Sequence, residues 1–193
     1  MITPKIAIVS GPSGVGKTTL CDELVKQEPR LKLCRTATTR PPRSGESPDD
    51  YYFISRQTFM EWFKKGEIIE YTELFGNFYG TPKKSIQDIS RSGGYPLLRI
   101  DVEGGRSLKR LGYKGVFIFV LPPDFSVLAE RLKKRVTASG DLTRRLARAK
   151  EELTHQNEYD FKVINNRLAT AVAEIRDILT RHLFNNKGAA SRL

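Results

Sequence analysis

The chain is short of the residues from which disulfide frameworks and metal centres are built. It has two cysteines, Cys21 and Cys34, and two histidines, His155 and His182, among 193 residues. The cysteines show no CxxC spacing and no histidine cluster accompanies them, which excludes a stapled secreted module and a Cys/His zinc site. Reduced thiols in a cytoplasmic protein are expected. The histidines fall on predicted helices without ligand partners and read as surface residues. Long apolar runs are also missing: no stretch reaches the ~20 residues that a membrane span needs. The opening run "IAIVS" is too short for the core of a secretory signal and runs straight into a glycine loop. Acidic residues are outnumbered, 22 against 33 Lys and Arg, for a net charge of +11. That balance favours anionic partners. No zinc finger, RNP aromatic signature or KH loop accompanies the charge, so nucleic-acid binding has charge as its only support. Small phosphorylated ligands are the other candidate, and charge alone does not choose between the two.

What is present fits one domain with a sizeable core: 39% of the residues are hydrophobic and 9% aromatic. Short apolar runs alternate with helical stretches. "KIAIVS", "YPLLRIDV", "GVFIFVLPP" and "FKVIN" read as buried strands, and "RLKLCRTATT" as one further strand. Helices are predicted over Lys17 to Gln27, in "RQTFMEWFKKG", in "PKKSIQDISRSG", from roughly Gly105 to Leu111, after Pro123, up to about Tyr159, and in "ATAVAEIRDILTRHLF". Such alternation implies an α/β fold, a mostly parallel sheet with helices on both faces. Residues 36–82 differ. They hold a proline- and glycine-rich loop, "TRPPRSGESPDD", and a hairpin pattern around Gly76-Asn77. They read as a small mixed-β insert over the carboxyl ends of the strands, where such sheets bind ligands. The core is then expected over 1–35, 83–124 and 160–184, a lid with its following helix over 125–159, and a flexible tail over 185–193. "RVTASGDLTRR" reads as a mobile connection within the lid.

The sharpest motif is Gly11-Pro12-Ser13-Gly14-Val15-Gly16-Lys17-Thr18, a full match to GxxxxGK[ST]. Glycines let the backbone turn back and aim successive N–H groups at an anion, and the next helix adds its positive end. Lys17 is placed for the β- and γ-phosphates of a nucleoside triphosphate and Thr18 for Mg²⁺; Thr19 extends the cradle. A strand before and a helix after supply the context that the motif requires. The acceptor side is less self-evident. Arg40 and Arg43 sit three apart on a proline-stiffened turn that lowers the entropic cost of presenting two guanidiniums to one phosphate. Thr36, Thr38 and Thr39 add hydroxyls and Tyr51 a phenol.

The stretches "SGPSGVGKTTL", "TTRPPRSGE", "DYYFIS", "FGNFYGTP", "IDVEGG" and "FVLPP" follow one another as in guanylate kinases, which the chain resembles from about Lys5 to Phe184. The resemblance implies a P-loop NTPase core with a nucleotide-monophosphate insert and a lid. It implies transfer of the γ-phosphoryl group of ATP, with Mg²⁺, to GMP. By position it implies that Thr36, Arg40, Arg43, Tyr51 and Tyr79 hold the GMP phosphate, that Glu46 orients the arginines, and that Glu70 and Thr81 read guanine. Asp101 joins the GMP set. Arg131, Arg135 and Asn165 join the ATP set, and Arg135 and Arg145, with Lys17 and Arg40, act on the transferring group. Guanine offers N1–H and N2–H₂ side by side, which one carboxylate can accept together; adenine would leave Glu70 unpaired.

The pattern frays in places. Where the family has two aspartates in one strand, this chain has Arg99 and then Asp101. Residues two apart share a face, so Arg99 is expected beside the nucleotide, paired with Asp101 or Glu70. Asn165-Asn166 replaces "ND", Glu103 a commoner glutamine, and two loops are one residue short. Two other readings stand beside the first. A different acceptor, another nucleotide or a phosphorylated sugar, finds its support in Arg99 and its objection in Glu70 with Thr81. A non-catalytic interaction module is opposed by the intact phosphate loop. Lys133, Lys134 and Arg148 read as solvated charges. Oligomeric state, monomer or homodimer, is not legible.

Overall fold

In a computed structural model, residues 5–43, 45–134 and 139–185 are described. The chain begins with β1 (Ile6–Ser10), the phosphate loop and α1 (Lys17–Gln27), then β2 (Leu31–Leu33), β3 (Thr36–Thr38) and β4 (Tyr51–Phe53). α2 (Arg56–Lys64), β5 (Ile68–Leu74), β6 (Asn77–Pro82), α3 (Lys83–Arg91) and β7 (Tyr95–Arg99) follow. The second half runs α4 (Val102–Arg110), β8 (Gly115–Leu121), α5 (Phe125–Lys133), α6 (Ser139–Thr154), β9 (Phe161–Ile164) and α7 (Leu168–Leu179), closed by a π-helical turn, Thr180–Phe184.

Two sheets result. The larger is fully parallel, in the order β2-β7-β1-β8-β9. Its strands alternate between two apolar layers: Ala7, Val9, Leu97, Ile118 and Val120 face one cluster, and Ile6, Ile8, Leu98, Phe117 and Phe119 the other. A side-chain period of two with both sides apolar requires cover on both faces. Helices α1, α5 and α7 supply it on the first side, and α3 and α4 on the second. The smaller sheet is mixed, in the order β4-β3-β6-β5, over its own core of Ala37, Phe59, Ile68 and Phe78. The predicted α/β architecture and the mixed second sheet are both present.

Four local readings need correction. "RLKLCRTATT" is two strands in different sheets: β2 pairs with β7, and β3 pairs with β4 and β6. Periodicity reports an extended chain but not which partner it has. The hairpin turn is Phe75-Gly76, one residue earlier than Gly76-Asn77, because Leu74 faces Asn77 across the ladder. α4 starts at Val102, not Gly105, since Asp101 caps it by accepting from the Gly104 amide at 2.8 Å. Its two glycines are there for space: a Cβ on Gly104 would stand 2.8 Å from Glu70 Oε2, and one on Gly105 would stand 2.2 Å from the Tyr159 hydroxyl. Finally, α6 begins at Ser139, inside the stretch read as a mobile connection. Residues 135–138 of that stretch, Arg135 among them, lie outside the described residues, as does the tail beyond Asn185.

Candidate active site

The phosphate loop leaves the carboxyl end of β1, the buried centre of the parallel sheet, and enters α1. Gly11, Gly14 and Gly16 all have positive φ, at 141°, 85° and 99°. Gly16 is doubly constrained, because a Cβ there would also stand 2.6 Å from Asn165 Nδ2. Asn165 Nδ2 donates to the Val15 carbonyl at 2.9 Å, tying β9 to the loop. Arg131 reaches the same carbonyl at 3.4 Å. Lys17 Nζ donates to the carbonyls of Gly11 at 2.5 Å and Pro12 at 3.1 Å. Burial lowers the Lys17 pKa, and the carboxylates of Glu152 and Asp101 pull it back. The Ser13 amide donates to Glu152 Oε2 at 3.2 Å, and Arg148 Nε binds the other oxygen of that buried carboxylate at 2.8 Å. An amide aimed at an acceptor oxygen is the behaviour expected of an anion-binding loop.

A cavity of ≈ 300 Å³ opens in front of this loop. It takes in Ser13, Lys17 and Thr18 at one end and Thr36, Arg40, Arg43, Tyr51, Glu70, Tyr79 and Asp101 at the other, with Arg145 at its wall. Six cationic side chains line it against three carboxylates (Glu70, Asp101 and Glu152), so it is built for anions. Arg40 is held by Glu46 in a fork of two bonds, Nη1–Oε2 at 2.6 Å and Nη2–Oε1 at 2.5 Å, and the Arg43 amide donates to Glu46 Oε2 at 2.8 Å. Those bonds hold the Glu46 carboxyl below its usual range. Glu46 is thus bonded to the Arg40 guanidinium and to the Arg43 backbone together. Of the three threonines, Thr36 alone lines the cavity. Thr38 Oγ1 donates to the Phe78 carbonyl, and Thr39 Oγ1 accepts from the Phe78 amide, both at 2.9 Å, so these two fasten β3 to β6.

Glu70 is the most unusual group. Between Ile68 and Tyr71 β5 carries one residue more than β6, a bulge that aims the Glu70 side chain inward. It is 5% exposed, and Thr81 Oγ1 donates to its Oε1 at 2.6 Å. Burial, with Asp101 nearby, pushes its pKa up from 4.5 to about 8. Thr81 touches the cavity through Glu70 rather than directly.

A second depression, ≈ 420 Å³, lies on the far side of the loop, lined by Gly14, Gly16, Thr19, Arg131, Asn165 and three neighbours that include Lys134. Lys134 and Arg148, read as solvated charges, thus line the two cavities. Arg99 lines the first cavity together with Asp101, as expected, but its ion-pair partner differs. Its Nη1 is 3.3 Å from Asp22 Oδ1 on α1, not paired with Asp101 or Glu70. Asp101 is turned to its cap and accepts from Thr72 Oγ1 at 3.2 Å. Glu152 and Asp22 are not legible in the sequence, because each acts through a partner distant in the chain, Ser13 and Arg99, and Arg148 follows from Glu152, its neighbour one helical turn on. The thiols of Cys21 and Cys34 are free and buried, and burial raises both to about 12. His155 Nδ1 bonds Glu158 at 2.7 Å, and His182 packs on Phe161.

The guanylate kinase family model matches residues 3–182. The chain belongs to the guanylate kinase family. It is 41% identical to the guanylate kinase of Carboxydothermus hydrogenoformans over 177 residues, 91% of this chain and 87% of that one. It is likewise 41% identical to that of Clostridioides difficile, over 91% and 86%. The crystal structure of guanylate kinase from Anaplasma phagocytophilum superposes with a TM-score of 0.74 at 32% identity, covering 93% of this chain and 86% of that one. As a guanylate kinase family member the chain is a nucleoside monophosphate kinase, a phosphotransferase. No helix among the described residues is long and apolar enough to cross a membrane.

Proposed function

We propose that the two ends of the ≈ 300 Å³ cavity hold donor and acceptor for the reaction ATP + GMP → ADP + GDP. The observation that carries the reading is the buried Glu70, bonded by Thr81 and sharing one cavity with Lys17, Arg40 and Arg43. Guanine's N1–H and N2–H₂ would donate to Glu70, and the Thr81 hydroxyl would turn to O6. The acceptor phosphate would lie on Arg40, Arg43, Tyr51 and Tyr79, with Thr36 beside them. The donor phosphates would lie on the amides of Gly11 to Thr19 and on Lys17, with adenosine toward Arg131 and Asn165. With both phosphates fixed, transfer is direct and in line and needs no side-chain nucleophile. Arg145, at the cavity wall, and Arg135 would neutralise the charge that spreads over the transferring group.

The donor set fits an ion that arrives with the nucleotide. Among the described residues no cluster of three acidic or histidine ligands exists. The Thr18 hydroxyl is exposed at the loop and lines the cavity with Lys17. Thr18 would therefore hold Mg²⁺ together with ATP phosphate oxygens and water, and the ion would neutralise the β- and γ-oxygens. The reading implies a cytoplasmic enzyme with small-molecule partners, in line with its buried free thiols. The alternative acceptors rest on Arg99, which lines the same cavity but pairs with Asp22 on α1 rather than with Glu70. ADP release, measured with ATP and each nucleoside monophosphate in turn, tests the reading. Turnover with GMP well above AMP, CMP and UMP is expected; equal turnover with AMP would refute it.

A further inference from the structure

We propose that Phe75 is a positioning residue for Arg145, a wedge at the tip of the β5–β6 hairpin that holds the arginine's guanidinium over the phosphoryl-transfer cleft. The hairpin loop has two residues, Phe75 and Gly76, with φ of 49° and 76°. Two positive φ values make this the mirror-image turn that favours Asn-Gly or Asp-Gly, because a bulky side chain is strained in the left-handed region. Phe75 is the only non-glycine with positive φ among the described residues. The strain is not repaid by burial, since Phe75 remains 38% exposed. A strained, exposed aromatic at a turn that a smaller residue would suit better points to a use outside the fold.

The use is visible in what the ring touches. The Arg145 guanidinium lies 4.4 Å from the centroid of Phe75. Its Nε donates to Asp141 Oδ2 at 2.9 Å, one turn earlier on α6. Asp141 thus holds one edge of the group and the Phe75 ring one face. A guanidinium held in that way keeps its Nη groups for a phosphate. Phe75 and Arg145 both line the cavity that holds Lys17 and Arg40. The contact joins the smaller sheet, which carries the acceptor residues, to the helix that carries the arginine. The arginine is therefore in place when the acceptor side is.

The inference rests on Arg145 acting on the transferring group, and the experiment separates the two. Phe75→Asn installs the residue that the turn favours. It is expected to raise the thermal midpoint by roughly 2–4 °C while lowering kcat roughly 3- to 10-fold, with the KM values for ATP and GMP within twofold of wild type. Phe75→Leu keeps an apolar side chain and the strained turn but removes the π face, and should lose kcat similarly; Phe75→Tyr should retain it. On an Arg145→Met background, Phe75→Leu should cost nothing further. Unchanged kcat in Phe75→Leu beside a crippled Arg145→Met overturns the inference alone. An active Arg145→Met overturns the role of the arginine, and the inference with it. An equal further loss on the Arg145→Met background would show that Phe75 acts on something else.

Discussion

Glu70 concentrates the chemistry at the scale of the residue. Its carboxyl is raised from 4.5 to about 8 by burial, yet the proposed base pairing requires the anion. GMP binding must therefore expel a proton at neutral pH. Apparent GMP affinity is expected to rise roughly eightfold from pH 7 to pH 8.5, by titration of one group near 8. Isothermal titration at the two pH values, in buffers of different ionisation enthalpy, measures both the affinity and the proton released. The sign for stability is opposite. The unfolded chain gives up this proton near 4.5 and the folded chain holds it until about 8, so the group costs stability as pH rises through that window. Glu70→Gln should therefore melt above wild type by a margin that widens from pH 5 to pH 8, while its kcat/KM for GMP falls roughly 10- to 100-fold. Arg99 offers the contrast. Paired with Asp22 beside the loop, it should act on the donor: Arg99→Met should raise the ATP KM several-fold and leave the GMP KM within twofold, as initial-rate kinetics can resolve.

Which of these residues the sequence announces follows from what each one binds. Gly11 to Thr18 are legible because a phosphate is bound by backbone amides, and amides aimed inward demand glycines at fixed spacing. Arg40, Arg43, Glu70 and Thr81 are legible only through the resemblance to the family. Glu152 is not legible, since its partner amide at Ser13 lies 139 positions away. Nor is the Asp22–Arg99 pair, whose members are separated by 77.

Elements decide how accurately those residues are placed. Four of the five parallel strands, β1, β7, β8 and β9, are legible because runs such as Ile6 to Val9 are apolar on both faces. What was not readable was where one strand ends and another begins, as at Cys34 and Arg35, which separate two strands of different sheets. The start of α4 was hidden for a related reason. Gly104 and Gly105 look like breakers, but they admit the Glu70 carboxylate and the Tyr159 hydroxyl against the helix. The cap at Asp101 should be worth about 1 kcal/mol. Asp101→Ala is expected to lower stability by that amount in denaturant titration and to loosen the Glu70 wall, raising the GMP KM. At the phosphate loop, Gly16→Ala meets both a φ of 99° and Asn165 Nδ2 at 2.6 Å. It should cost more than 1 kcal/mol and weaken ATP binding, measured by fluorescence with a labelled nucleotide, far more than it weakens GMP binding.

For the molecule as a whole, the charge of +11 finds part of its reason in one cavity where six cations face three carboxylates. Two sheets meet there. The parallel one carries the glycine loop proposed for the donor phosphates, and the mixed one carries the arginines and the buried carboxylate proposed for the acceptor nucleotide. In the proposed reaction the phosphates of both nucleotides meet in that single cavity and face each other. A crystal structure of the chain with ADP and GMP together tests it most directly. The prediction is guanine against Glu70 and Thr81, the GMP phosphate on Arg40 and Arg43, and the ADP β-phosphate on the Gly11–Thr18 amides, its oxygens pointing at the acceptor. GMP found elsewhere, or absent beside Glu70 while ADP fills its loop, would contradict it.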